Sequence, residues 1–391
     1  MKFNKNPVRA VRKLVCDIQC LKKEMDQRKQ PLPSTWDVNK NNILIMVSSS
    51  SKGGAQRVAC QVANGLSEKY NVVLIFGSDA RNCYPVSEKV MLRHLPHLYF
   101  DPSELLRIHL VKSLKRQMSI DVSISLLINM NQINLKSAQG ERVIVSERNN
   151  PAIAYPEEFE KTKKIYAKAD HVIFQTREVQ SLYDPEIQAH STILPNPVSV
   201  QAMALADPAK RIVNVARLEV NKNQEMLIRA FARFLPLHPG FTLSFYGEGR
   251  LKEKLLKIVT DLGIQDKVFF HGNVDNIHEQ IADAACFVLS SNVEGMPNAL
   301  LEAMMMGLPC ISTNCTGSRE VIRDGWNGLL VGTGDVDGLF HAMNRMTDEP
   351  DLAKICRENA KKTAEKFRLE NVIGQWEKLC DQEIKKRKVC F

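Results

Sequence analysis

Apolar positions fall into short continuous runs, and the segments between them carry apolar residues at every third or fourth place. Runs of this length rich in Val, Ile and Leu read as strands buried on both faces, and the spaced segments read as amphipathic helices. Strands are predicted at 43–47, 72–76, 90–92, 122–127, 143–145, 172–174 and 192–194. Between them lie helical stretches, among them one carrying Val58, Val62, Ala63 and Leu66, then 104–117 and 157–169. Such alternation predicts a parallel sheet covered by helices. Pro195-Asn196-Pro197 closes this unit, with a hinge expected over 199–210. The pattern then repeats: strand 211–216, helix 223–235, strand 241–246, helix 250–262, strand 267–271 and helix 276–283. A last helix is predicted from about 370 to 388, including Trp376. The fold class is α/β, with an extension over 1–39, domains at 40–200 and 201–370, and a terminal segment at 371–391. Two such domains leave a cleft at the carboxyl ends of their strands, where open α/β sheets bind ligands.

One stretch concentrates chemistry. CFVLSSNVEGMPNALLEAMMMGLPC, Cys286 to Cys310, reads as strand, loop, helix and the start of another strand. Gly295-Met296-Pro297 makes a tight turn, and Pro297, lacking an N–H, suits the first helical position. Leu300, Leu301, Met304 and Met305 form a buried stripe, and Gly307 ends the helix before Pro309. Glu294 sits in the loop and Glu302 in the helix. The helix N-terminus near Asn298 has unpaired N–H groups and about half a positive charge, which makes it a natural phosphate site.

Glu294-x7-Glu302 within EGMPNALLEAMMMGLPCI closely resembles the E-x7-E signature of family 4, the retaining glycosyltransferases with two Rossmann-like domains (the GT-B fold). The resemblance covers most of 40–365. It implies a retaining transfer of a hexose-type sugar from a UDP- or GDP-sugar donor to a glycan or lipid-linked glycan acceptor. Cell-surface polysaccharide or lipopolysaccharide synthesis is the implied setting. Glu294 would bind the sugar hydroxyls and Glu302 the ribose. Arg217 and Lys222 match the family's R-x4-K element, which holds the diphosphate. Two fixed cations beside a helix N-terminus stabilise a departing diphosphate, and losing one such contact costs about 3 kcal/mol of barrier. Without that placement, an Arg and a Lys at a strand end read as solvated surface.

Gly53 and Gly54 open the first helix, and in GGAQRV they resemble the family's glycine loop, with Gln56 where a glutamate is common. Glycines there let backbone N–H groups approach a phosphate or sugar. Gly247-Glu248-Gly249 is too short for a dinucleotide fingerprint. Gly272, in His271-Gly272-Asn273, falls where the family borders the nucleobase. Glu147 and Arg148 end a strand and are expected to face the cleft near the reacting sugar, or else to form a surface salt bridge. The family's terminal helix crosses back onto the first domain. Asp335-Val336-Asp337 spells the D-x-D of metal-dependent transferases, but its place before a helix favours capping. No metal or other cofactor is expected.

Charge adds one feature. The net charge is +9, and residues 1–40 hold ten Lys/Arg against four Asp/Glu. Over 7–29, Val8, Val11, Leu14, Val15, Ile18, Leu21 and Met25 recur at helical spacing among lysines and arginines. Such a stripe can lie on an anionic membrane surface, pack on its own protein, or form a disordered basic tail. No run is long and apolar enough to span a bilayer, and the N-terminus lacks a signal-peptide core. The expected location is cytoplasmic, peripheral on the inner membrane face. The ten cysteines contain no C-x-x-C pair, so reduced core thiols are expected. An epimerase or phosphorylase on the same frame lacks support from the E-x7-E context. A basic nucleic-acid binder lacks interleaved aromatics, so no nucleic-acid partner is expected.

Overall fold

Every strand of both sheets pairs in parallel, and most are followed by a helix that returns the chain across a sheet face; β2 (Asn71–Phe76) and β3 (Val90–His94) follow each other with no described helix between them. The structure is a computed structural model that describes residues 32–49, 53–78, 84–95, 103–200 and 208–389. The basic stripe predicted over 7–29 lies outside the described residues.

The first sheet comprises β1 (Asn42–Val47), β2 (Asn71–Phe76), β3 (Val90–His94), β4 (Val122–Leu126), β5 (Arg142–Ser146), β6 (His171–Phe174) and β7 (Ser191–Ile193). Their order is β3-β2-β1-β4-β5-β6-β7. The second comprises β8 (Ala209–Val215), β9 (Thr242–Tyr246), β10 (Val268–Gly272), β11 (Ala284–Leu289), β12 (Cys310–Thr313) and β13 (Leu329–Val331), ordered β10-β9-β8-β11-β12-β13. Strand order reverses beside β1 and beside β8, which opens a crevice at the carboxyl end of each sheet. β2 and β4 are buried at every residue, as apolar runs inside a covered sheet must be. β13 is an addition, since its three residues are too few to stand out as a strand in the sequence. The helix predicted over 157–169 is instead a 3-10 turn at Pro156–Glu158 followed by Phe159–Tyr166.

Six helices bear on the cleft: α1 (Gly54–Leu66), α2 (Gln224–Phe234), α3 (Ile277–Ile281), α4 (Asn298–Met306), α5 (Thr316–Val321) and α6 (Leu369–Val389). Pro297 is the cap residue of α4 rather than its first helical position, with extended dihedrals of φ −82° and ψ 101°. Leu300, Leu301, Met304 and Met305 are buried, and Gly307 terminates α4 in the left-handed region at φ 80°. α6 leaves the second domain and packs on the first, where Val372, Trp376, Leu379 and Cys380 share a core with Val58, Val62 and Leu66 of α1. Outbound and returning chain run side by side: Val198 N–H donates to Phe367 O at 2.8 Å, and Leu369 N–H donates to Val198 O at 2.9 Å. Cys60, Cys286, Cys310, Cys315, Cys356 and Cys380 are free and buried. Among the described residues no helix is long and apolar enough to cross a membrane.

Candidate active site

The loops after β8 and β11 are fastened to each other by hydrogen bonds within the chain. Asn292 N–H donates to Asn221 O at 2.8 Å, and the Ser290 hydroxyl donates to Lys222 O at 2.9 Å. Lys222 closes a 3-10 turn, and Asn223, left-handed at φ 47°, caps α2 by accepting from Met226 N–H. This geometry brings Lys222 Nζ to 2.5 Å from Glu294 Oε1, which also accepts from the Ser291 hydroxyl at 2.7 Å. Both side chains are mostly enclosed, at 16% and 13% exposure. Arg217, on the same loop, is exposed and takes no side-chain hydrogen bond or ion pair among the described residues.

Glu294 is followed by a turn pressed between the two domains. A Cβ on Gly295 would lie 2.4 Å from Arg148 O and 2.7 Å from Gln175 Oε1, so only glycine allows this approach. Met296 is buried, and Pro297 and Asn298 lead into α4, whose N-terminus has no side-chain cap. Its first N–H groups are therefore available to an anion. One turn further, Glu302 is 5% exposed. Its carboxylate takes an ion pair from Arg57 of α1 and lies 3.3 Å from His278 Nε2 of α3. Gly53 and Gly54 stand opposite: a Cβ on Gly54 would be 3.5 Å from Asn298 Nδ2. Gln56 is buried and donates to Ser49 Oγ at 3.0 Å.

Gly272 ends β10 at φ 70°, and its carbonyl accepts from Gly247 N–H at 2.7 Å. Gly247 has φ 132°, and a Cβ there would sit 2.2 Å from Ala216 O, so the short Gly-Glu-Gly serves close packing of the loops after β8, β9 and β10.

Glu147 and Arg148 correct their sequence reading. Neither forms a surface salt bridge, and neither opens to the cleft: they are 1% and 6% exposed. The Glu147 carboxylate accepts from the hydroxyls of Tyr155, Tyr166 and Tyr183 and from the N–H groups of Arg148 and Asn149. Burial pushes its pKa up from the usual carboxylate range, and the tyrosine hydroxyls and backbone N–H groups partly offset that. Burial lowers the Arg148 guanidinium to about 10, so it stays charged at neutral pH. Asp335 caps its helix by accepting from Gly338 N–H at 2.8 Å, and Asp337 pairs with Arg233. Among the described residues no cluster of three or more His, Cys, Asp or Glu side chains is arranged to hold a metal ion.

The structure thus gathers Glu294, Lys222, Gly295, Met296, Pro297, Asn298 and Glu302 at one crevice, with Gly53 and Gly54 opposite. Sequence reading missed Arg57, His278 and Asn196 there. Arg57 stands within the quoted GGAQRV, and Asn196 lies between two prolines, so each had a local signal but no visible partner.

Residues 199–363 match the family described as Glycosyl transferases group 1. The chain is 28% identical over 359 residues to N-acetylgalactosamine-N,N'-diacetylbacillosaminyl-diphospho-undecaprenol 4-alpha-N-acetylgalactosaminyltransferase of Campylobacter jejuni, covering 83% of this chain and 94% of that one. It is 33% identical over 168 residues to the lipopolysaccharide core biosynthesis glycosyltransferase LpsE of Rhizobium meliloti, covering 44% and 45%. Its fold is similar to that of Anabaena HepE, solved in complex with UDP and glucose, at a TM-score of 0.72 and 16% identity over 87% of this chain and 99% of that one. The chain is a glycosyltransferase of the two-domain GT-B fold that carries a group 1 domain over residues 199–363, and its homologues serve lipopolysaccharide, polysaccharide and lipid-linked glycan synthesis.

Proposed function

We propose that the chain is a retaining hexosyltransferase of family 4 that uses a UDP- or GDP-sugar and a glycan or lipid-linked glycan acceptor. The observation that carries this reading is the meeting of Glu294 with Lys222 beside the uncapped N-terminus of α4. A carboxylate for sugar hydroxyls, a cation for the diphosphate and a helix N-terminus then share one crevice. Arg217, exposed on the same loop, supplies a second cation, and Glu302, one turn into α4, faces the ribose. Gly272 borders the base.

When the donor enters, Lys222 exchanges its contact with Glu294 for the diphosphate, and Glu294 turns to the sugar. The bond from the anomeric carbon to the phosphate oxygen breaks as the acceptor oxygen bonds that carbon on the same face. The acceptor's proton passes to the departing phosphate oxygen. Lys222, Arg217 and the helix N-terminus stabilise the charge that develops there.

Residues 7–29 are proposed to hold the enzyme on an anionic membrane at its cytoplasmic face, where a lipid-linked acceptor is within reach. A screen of radiolabelled UDP- and GDP-sugars, reading slow hydrolysis without acceptor, tests the donor reading. Release of sugar as the α-anomer from an α-linked donor is expected. No turnover of any nucleotide sugar would defeat it.

A further inference from the structure

Asn196 is 4% exposed and uses all four hydrogen-bonding places of its side chain. Its Oδ1 accepts from Arg148 Nη1 at 3.1 Å and from Gln175 Nε2 at 2.6 Å, both in the first domain. Its Nδ2 donates to Asn298 Oδ1 at 2.6 Å and to Met296 O at 3.3 Å, both in the second. Its backbone N–H donates to Met296 Sδ at 3.2 Å. The amide cannot be turned round, because a guanidinium only donates and a carbonyl only accepts. Pro195 and Pro197 have fixed φ, and Pro197 also restricts Asn196, so the strap holding this amide is stiff. Two residues on, Val198 pairs with the returning chain at Phe367 and Leu369. Asn196 therefore sits where the two domains join.

We propose that Asn196 is the positioning residue of the Glu294–Asn298 loop, tying that loop to the first domain so that Glu294 keeps its place beside Lys222. This rests on the function proposed above. Arg148 acts through it: the guanidinium is buried, its Nε and Nη2 have no partner, and its one side-chain hydrogen bond among the described residues goes to Asn196. A charged donor strengthens the amide's hold on the loop. The loop needs such a hold because Gly295 lies against Arg148 O and Gln175 Oε1 with no side chain of its own to anchor it. Misplacing a reacting contact by about 1 Å costs up to roughly a hundredfold in rate.

Asn196→Asp is the test. An aspartate still accepts from Arg148 and Gln175 but cannot donate to Met296 O, and it meets Asn298 only if that amide turns round, so it disturbs the loop side and spares the first-domain side. Full-length wild type and variant are compared by calorimetric binding of UDP and GDP, by kcat and KM for hydrolysis of the nucleotide sugar the wild type turns over, and by melting temperature. The expected result is nucleoside diphosphate affinity within about threefold of wild type and kcat lower by about 10- to 100-fold. Asn196→Ala is expected to lose as much kcat and to melt lower. Should the alanine variant not fold, the aspartate variant carries the test. A folded Asn196→Asp with kcat within twofold of wild type overturns the proposal. So does a parallel fall in kcat, nucleotide affinity and melting temperature, which marks packing alone. Wild type that binds neither UDP nor GDP and hydrolyses no nucleotide sugar overturns the function reading, and this proposal falls with it.

Discussion

Arg57, one turn into α1 of the first domain, reaches across the cleft and pairs with Glu302, one turn into α4 of the second. Their helices begin at the same place, with Gly54 beside Asn298. Glu302 thus meets Arg57 and His278, and the function proposed above gives it the donor's ribose.

Glu302→Ala is expected to raise the donor KM about tenfold with kcat little changed, because a ribose contact exists in ground and transition states alike. Arg57→Ala leaves Glu302 with His278 alone and removes one inter-domain contact, so it should lower the melting temperature slightly. Steady-state kinetics and calorimetry measure both. A loss confined to kcat in Glu302→Ala would place that carboxylate at the reacting sugar instead.

Glu294→Gln keeps an acceptor for the Ser291 hydroxyl and removes the charge opposite Lys222. Transfer should fall by at least about a hundredfold, the scale of losing one electrostatic contact in a preorganised site. Circular dichroism and melting should match wild type. Undiminished activity in the folded variant would defeat the assignment of Glu294 to the sugar.

His171 introduces a pH dependence far from the cleft. It lies on β6 beneath α6, with Nε2 2.8 Å from Thr192 Oγ1 and Nδ1 3.8 Å from Glu383. Burial lowers its pKa to about 4; the Glu383 carboxylate opposes this, while Lys386, His190 and Arg142 add to it. The unfolded chain, with an ordinary imidazole near 6.5, binds the proton first, so stability is intact above that pH and falls as pH drops toward 4. The loss reaches about 3 kcal/mol for a shift of this size. Urea unfolding of wild type and His171→Asn between pH 7 and about 4 measures it. The asparagine variant should show a flatter profile, and parallel profiles would remove His171 as the cause.

Residues 7–29 lead to a test at the membrane. A cation near an anionic surface contributes about 1 kcal/mol and fades within a Debye length. The protein should sediment with phosphatidylserine-containing vesicles at low salt and be released at high salt. Deleting residues 1–30 should abolish sedimentation but spare donor hydrolysis, since Arg217, Lys222 and Glu294 lie in the second domain. Equal sedimentation of the truncated protein would clear this segment of the anchoring role.

What the sequence determined by itself is local. Runs such as ILIMV and VVLIF are buried wherever a strand must be covered on both faces, so both parallel sheets could be read from periodicity. Glu294, Glu302, Gly295 and Pro297 could be read as one strand–loop–helix because a turn and a helix start depend on neighbours in the chain. What only the tertiary structure decided is which side chains meet across the cleft. Arg57 and Glu302 are separated by 245 residues, and Asn196 and Asn298 by 102. Nothing in local spacing encodes such a contact, because it exists only once α1, the strap after β7 and α4 are placed by their own sheets. Glu147 shows the same limit in reverse. A strand-end carboxylate reads as exposed, and only the packing of Tyr155, Tyr166 and Tyr183 over it, one from a helix and two from separate turns, takes it out of water.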